Sequence, residues 1–167
     1  VVTANATATG GYAEAYGVKA SNNIDSFKNS GNITATANAT ATDGQAWAYG
    51  VSAGSNGIGN FTNSGTVTVT ATGGSANAFG VAVEGEINNF MNNGYMTVNA
   101  TGENVAEASG VEAIKIDNFV NNRRIEVSAI GDLSAEAYGV RADDDINNFI
   151  NEANSLIAVT ANATSGS

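Results

Sequence analysis

The chain has 167 residues, a formal net charge of −10, sixteen Asp/Glu against six Lys/Arg, and no His, Cys or Pro. Without thiols or imidazoles there are no disulfides, thiol nucleophiles, zinc–thiolate sites or Ser-His-Asp triads. An acidic chain with no basic clusters is no partner for nucleic acid or an anionic membrane surface. Charged residues are only 13% of the chain, and small polar residues (24 Asn, 20 Gly, 16 Thr) take their place. An apolar share of 43% is too high for disorder. No run approaches the ~18 apolar residues of a membrane span, so no membrane insertion is expected. The first residues lack the positive start of a signal peptide and read as a mature or excised piece.

Taken from the N-terminus, the chain repeats one unit. Residues 1–32 open on the alternating Val2-Thr3-Ala4-Asn5-Ala6-Thr7, pass Ala13, Ala15 and Gly17-Val18, and end on Ile24, Phe27 and Asn29. Residues 33–66 follow with Ala46, Ala48, Gly50-Val51, Ile58, Phe61 and Asn63. Residues 67–95 carry Ala76, Ala78, Gly80-Val81, Ile87, Phe90 and Asn92; residues 96–124 carry Ala106, Ala108, Gly110-Val111, Ile116, Phe119 and Asn121. Residues 125–155 carry Ala135, Ala137, Gly139-Val140, Ile146, Phe149 and Asn151, and a partial sixth unit spans 156–167. Markers recurring in one order every 29 to 34 residues identify a solenoid.

The third unit shows what each piece builds. Val67–Thr72 alternates apolar residues with Thr, the period of a strand with one buried face, and Gly73-Gly74 is expected to break it. A second strand, Ala76–Val83, buries Ala76 and Ala78, then shifts phase at Gly80 so that Val81 and Val83 turn inward. A third, Ile87–Asn92, follows the turn Glu84-Gly85-Glu86, and Asn93-Gly94 turns again. Helical repeats of this length need Leu, Lys and Glu at 3.6-residue spacing, whereas this chain is rich in Thr, Asn and Val. The fold class predicted is all-β: one domain, a single-stranded parallel β-helix, expected right-handed, of about five coils with three short strands each.

Stacking turns the markers into columns. The Ile and Phe columns are expected to form a continuous apolar core, and the Ala pairs a thin one where walls approach. The Asn two residues after each Phe reads either as an internal amide ladder or as a turn residue tolerant of αL. Val2–Thr7 and Val159–Thr164 are the same hexapeptide and are read as the same phase of the repeat, and neither end shows a cap. Uncapped solenoid ends expose strand edges, so the expected partners are copies of the chain, or further repeats of a longer parent, stacked end to end.

The phrase Ile-x-x-Phe-x-Asn-x-Gly, as in Ile87 to Gly94, and Ala-x-Ala-Tyr-Gly-Val, as in Ala135 to Val140, resemble the β-helical passenger repeats of bacterial autotransporters and related surface adhesins. The resemblance covers nearly the whole chain. It implies secretion, an extracellular or cell-surface location, a slender stalk, and adhesion or scaffolding, with host or surface glycans as further partners.

Departures from the repeat are where chemistry is sought. Outward Thr and Asn on the first strands (Thr3, Asn5, Thr7; Thr34, Thr36, Asn38; Thr68, Thr70, Thr72; Thr97, Asn99, Thr101; Thr160, Asn162, Thr164) read as an ice-binding array or as ordinary solvent-facing strand residues; Glu126 and Ser128 interrupt them. Asn5, Asn38, Asn99 and Asn162 stand in Asn-Ala-Thr sequons, acceptors for glycosylation in a secreted chain. Asp143, Asp144 and Asp145 are weighed as a structural calcium site against a solvated acidic turn; no other cofactor is expected. Tyr16, Tyr49, Phe79 and Tyr138 precede the Gly-Val pair, Ser109 breaks that column, and Trp47 stands nearby; the aromatics read as a stiffening stack or a sugar platform. Polysaccharide-cleaving β-helices need acids and Lys/Arg assembled in a groove across several coils; the one local cluster, Arg141 with Asp143 to Asp145, falls in a turn, so no enzyme activity is expected.

Overall fold

In the computed structural model, which describes residues 1–165, the chain is an all-β solenoid of stacked coils about 30 residues apart. The strands in order are β1 (Val2–Ala8), β2 (Tyr12–Ala20), β3 (Asn23–Asn29), β4 (Asn32–Ala39), β5 (Gln45–Ala53), β6 (Gly57–Asn63), β7 (Thr66–Val83), β8 (Glu86–Asn92), β9 (Tyr95–Ala113), β10 (Lys115–Asn121), β11 (Arg124–Gly131), β12 (Ser134–Ala142), β13 (Ile146–Asn151) and β14 (Leu156–Ala163). Every pairing is parallel, between one coil and the next.

Three walls result. The first stacks β1, β4, the start of β7, the start of β9, β11 and β14; the second stacks β2, β5, the ends of β7 and β9, and β12; the third stacks β3, β6, β8, β10 and β13. Gly73-Gly74 does not end a strand, contrary to expectation. β7 and β9 run through this corner, and their pairing slips between Gly73 and Ser75, so the wall turns by a bulge.

The core between the first two walls is thin because its residues are small. Ala35, Ala37, Ala46, Ala48, Ala76 and Ala78 are all fully buried. The Gly of each Gly-Val pair marks the tightest approach. A Cβ on Gly80 would lie 2.5 Å from the carbonyl oxygen of Gly110 and 2.7 Å from Met96 Cε, and one on Gly110 would meet Gly139 and Ile125 in the same way. The phase shift in the second wall therefore occurs where the backbone leaves no room for a side chain. Each such Gly packs against the first-wall strand of the following coil, down to Gly139 against Ile157 of β14.

The register corrects one reading of the ends. Val2 pairs with Ile33, and the same column continues through Val67, Met96 and Ile125 to Ile157. Val159 belongs to the column of Ala4, Ala35 and Val69. The two identical hexapeptides are thus two residues out of register. A period-2 strand of small residues keeps its faces after such a shift, which is why the match in sequence was misleading.

Candidate functional site

The third wall holds the most regular constellation. Ile24, Ile58, Ile87, Ile116 and Ile146 pair in one column, as do Phe27, Phe61, Phe90, Phe119 and Phe149. The Phe rings stack face to face, with centroids 4.8 to 5.4 Å apart. Phe61, Phe90 and Phe119 are fully buried; Phe149, on the last coil, is 48% exposed.

Beside the rings runs an amide ladder. Asn29 Nδ2 donates to Asn63 Oδ1, Asn63 to Asn92, Asn92 to Asn121 and Asn121 to Asn151, each at 2.8 Å. The second N–H of each donor reaches a backbone carbonyl in the following coil: Thr66, Tyr95, Arg124 and Leu156. Each Oδ1 of the first four also accepts a backbone N–H two residues on, from Gly31, Gly65, Gly94 and Arg123. The ladder and the turn are one arrangement, since a side chain that closes its own turn still has donors for the neighbouring coil. A second amide row went unread in the sequence: Asn148 donates to Asn118, Asn118 to Asn89, and Asn89 to Asn60, on the exposed face. Its signal was the Asn directly before Phe in four of the five units.

The outer face of the second wall departs from the repeat. One rank reads Tyr16, Tyr49, Phe79, Ser109, Tyr138, and the rank past the Gly reads Lys19, Ser52, Ala82, Glu112, Arg141. Tyr16 and Tyr49 stack with centroids 4.7 Å apart, Tyr49 and Phe79 at 5.2 Å, and Trp47 flanks both at 6.4 and 6.2 Å. Lys19 lies 3.8 Å above the Tyr16 ring. Between the two ranks is a cleft of ≈450 Å³.

At the cleft's end Ser109 is fully buried, and Glu112 stands in the next outward position. Arg141 of the following coil bridges Glu107 at 3.1 Å, approaches Glu112 to 3.9 Å and Asp143 to 3.8 Å, and lies over Tyr138. Burial pushes the Glu112 carboxyl up, and the Arg141 charge opposes that shift. Glu112 Oε2 and Trp47 Nε1 are sealed and have no hydrogen-bond partner.

The remaining candidates are scattered. Asp143, Asp144 and Asp145 are exposed in the bend before β13, and among the described residues no three acidic side chains converge as metal ligands would. Asn5, Asn38, Asn99 and Asn162 all point outward from first-wall strands, Asn38 and Asn99 half-buried. The Thr/Asn ranks hold register across the middle coils, and then Glu126, held by Arg124, and Ile130 interrupt them. In the last strand the rank continues as Ala158, Thr160 and Asn162, again two residues from the sequence reading.

Comparison with protein-family models, with curated proteins and with solved structures finds no match.

Proposed function

We propose that the chain is a structural segment of an extracellular or cell-surface stalk, stiff along its axis, on whose end faces further coils of the same repeat stack. The observation that carries this is the inner amide ladder. It runs through five coils in one direction, with an acceptor, Asn29 Oδ1, facing one end and a donor, Asn151 Nδ2, facing the other. Open strand edges and the half-exposed Phe149 and Val159 (44%) accompany it at the second end. A further coil would satisfy all three, and only in the head-to-tail sense.

Register limits what fits. The first wall has six rungs and the other two have five. A second copy that seats its β2 on β12 and its β3 on β13 brings its β1 to the place held by β14. One of those two strands must then peel away, whereas a coil entering at the second wall meets no such conflict. The resemblance to adhesin passenger repeats supports display outside the cell.

Sedimentation velocity over rising concentration, with cryo-electron microscopy of the same samples, tests the stacking. The expected result is end-to-end association with a ~4.8 Å axial repeat, suppressed in a Phe149→Lys, Val159→Lys double variant. Association that is side by side, or unaffected by that variant, would contradict it.

A further inference from the structure

We propose that the cleft on the outer face of the second wall binds a short neutral glycan. This goes beyond the stacking role and stands or falls independently of it. The cleft follows the crease made by the phase shifts at Gly50 and Gly80. On one side stand Tyr49 and Phe79 with Trp47 beside them; on the other the same coils carry only Ser52 and Ala82. Neighbouring coils close the ends, Lys19 over Tyr16 at one and Glu112 at the other, where Ser109 replaces the ring that the other coils carry. The space is about two rungs long, ~10 Å, and its ≈450 Å³ suits one or two sugar rings.

The chemistry of the lining selects the ligand. The rings are stacked along the axis, so they cover much of one another's faces. Recognition here is by hydrogen bonds placed among apolar carbon, which suits a molecule whose surface alternates hydroxyls with C–H groups. One group of the lining, the donor at Trp47 Nε1, is desolvated and unpaired, while the Glu112 carboxyl is shared with Arg141 and Ser109. Buried polar groups in folded proteins are rarely left without partners. The carboxylates of Glu84 and Glu112 outnumber Lys19 along the lining, in a chain of net charge −10, so uronic or sulfated sugars are repelled. These features coincide with departures from the repeat (Trp47, Ser52, Ala82, Ser109, Glu112), where a purely architectural face would repeat.

Trp47 is the single tryptophan of the chain, so its emission reports the cleft. The full chain is titrated with cellobiose, lactose and N,N′-diacetylchitobiose, and with digalacturonate as the anionic comparator. The expected result is a saturable change in emission with at least one neutral disaccharide, about tenfold weaker or absent with digalacturonate. Ala82→Arg fills the cleft from an outward position and should weaken that binding at least about tenfold while keeping the wild-type circular dichroism spectrum; Ser52→Arg, from the neighbouring coil, serves if Ala82→Arg does not fold. No saturable change with any of the three neutral sugars, a preference for digalacturonate, or binding untouched by the filling variant would each overturn the proposal.

Discussion

The third wall and the second wall are laid down by the same chain, coil for coil, yet they treat variation in opposite ways. Inside the third wall, Ile, Phe and Asn recur in all five coils without a substitution. On the outer face of the second wall, one rank alone changes from Glu14 to Trp47, Asn77, Glu107 and Glu136. The difference follows from what each position touches. An inward side chain is in contact with its own kind above and below, so one misfit disturbs three coils. An outward side chain meets solvent on one side and can change alone. Regularity therefore marks the scaffold, and irregularity marks the positions that are free to change one coil at a time.

The first way to break the comparison is to remove an inner ring. Phe90→Ala should cost about 3–5 kcal/mol, because the ring is fully buried between Phe61 and Phe119. Met91→Ala, one residue on and 40% exposed, should cost under ~0.5 kcal/mol in the same denaturant melts. A smaller effect is expected where the backbone itself is crowded. Gly80→Ala forces a methyl against the Gly110 carbonyl and should cost about 1–3 kcal/mol, whereas Gly10→Ala, with open space around it, should be close to neutral. Equal effects in that pair would mean that the phase shift at Gly80 is a matter of backbone preference and not of contact.

On the outer face the expected changes are smaller still. Thr70→Ser should shift stability by well under ~1 kcal/mol. Glu112 adds a pH signature. Its carboxyl is raised by burial, facing Arg141, Glu107 and Asp143, so the folded state resists ionising it. Stability from this group is full below the unfolded carboxylate pKa and declines as pH rises through the folded one. Glu112→Gln should remove that part of the decline; an unchanged pH profile of the melting midpoint would show that the carboxyl is well solvated.

How much of this was legible in the sequence depended on the same distinction. The columns of Ile, Phe and Asn could be read directly because they repeat, and so could the inward turn of Val81 and Val83 after Gly80. The corner at Gly73-Gly74 read as a break because two glycines interrupt an alternation whether the strand ends or only bulges. The terminal hexapeptides misled because Ala, Thr and Asn alternate in both, and a two-residue slip preserves every face. The cleft between Tyr49 and Ala82 could not be read as a cleft at all. It is made of single departures in different coils, and only stacking brings them side by side.

Two asparagines of one coil put the contrast between inner and outer ladders into a single measurement. Asn92 is fully buried and bonds Asn63 and Asn121; Asn89, three residues earlier, bonds Asn60 and Asn118 on the exposed face. Both are changed to Ala and compared by denaturant unfolding. Asn92→Ala leaves buried donors and acceptors unpaired in two neighbouring coils and should cost about 2–4 kcal/mol, against under ~1 kcal/mol for Asn89→Ala, whose partners turn to water. Equal losses at the two positions would contradict the claim that the inner ladder holds the coils together.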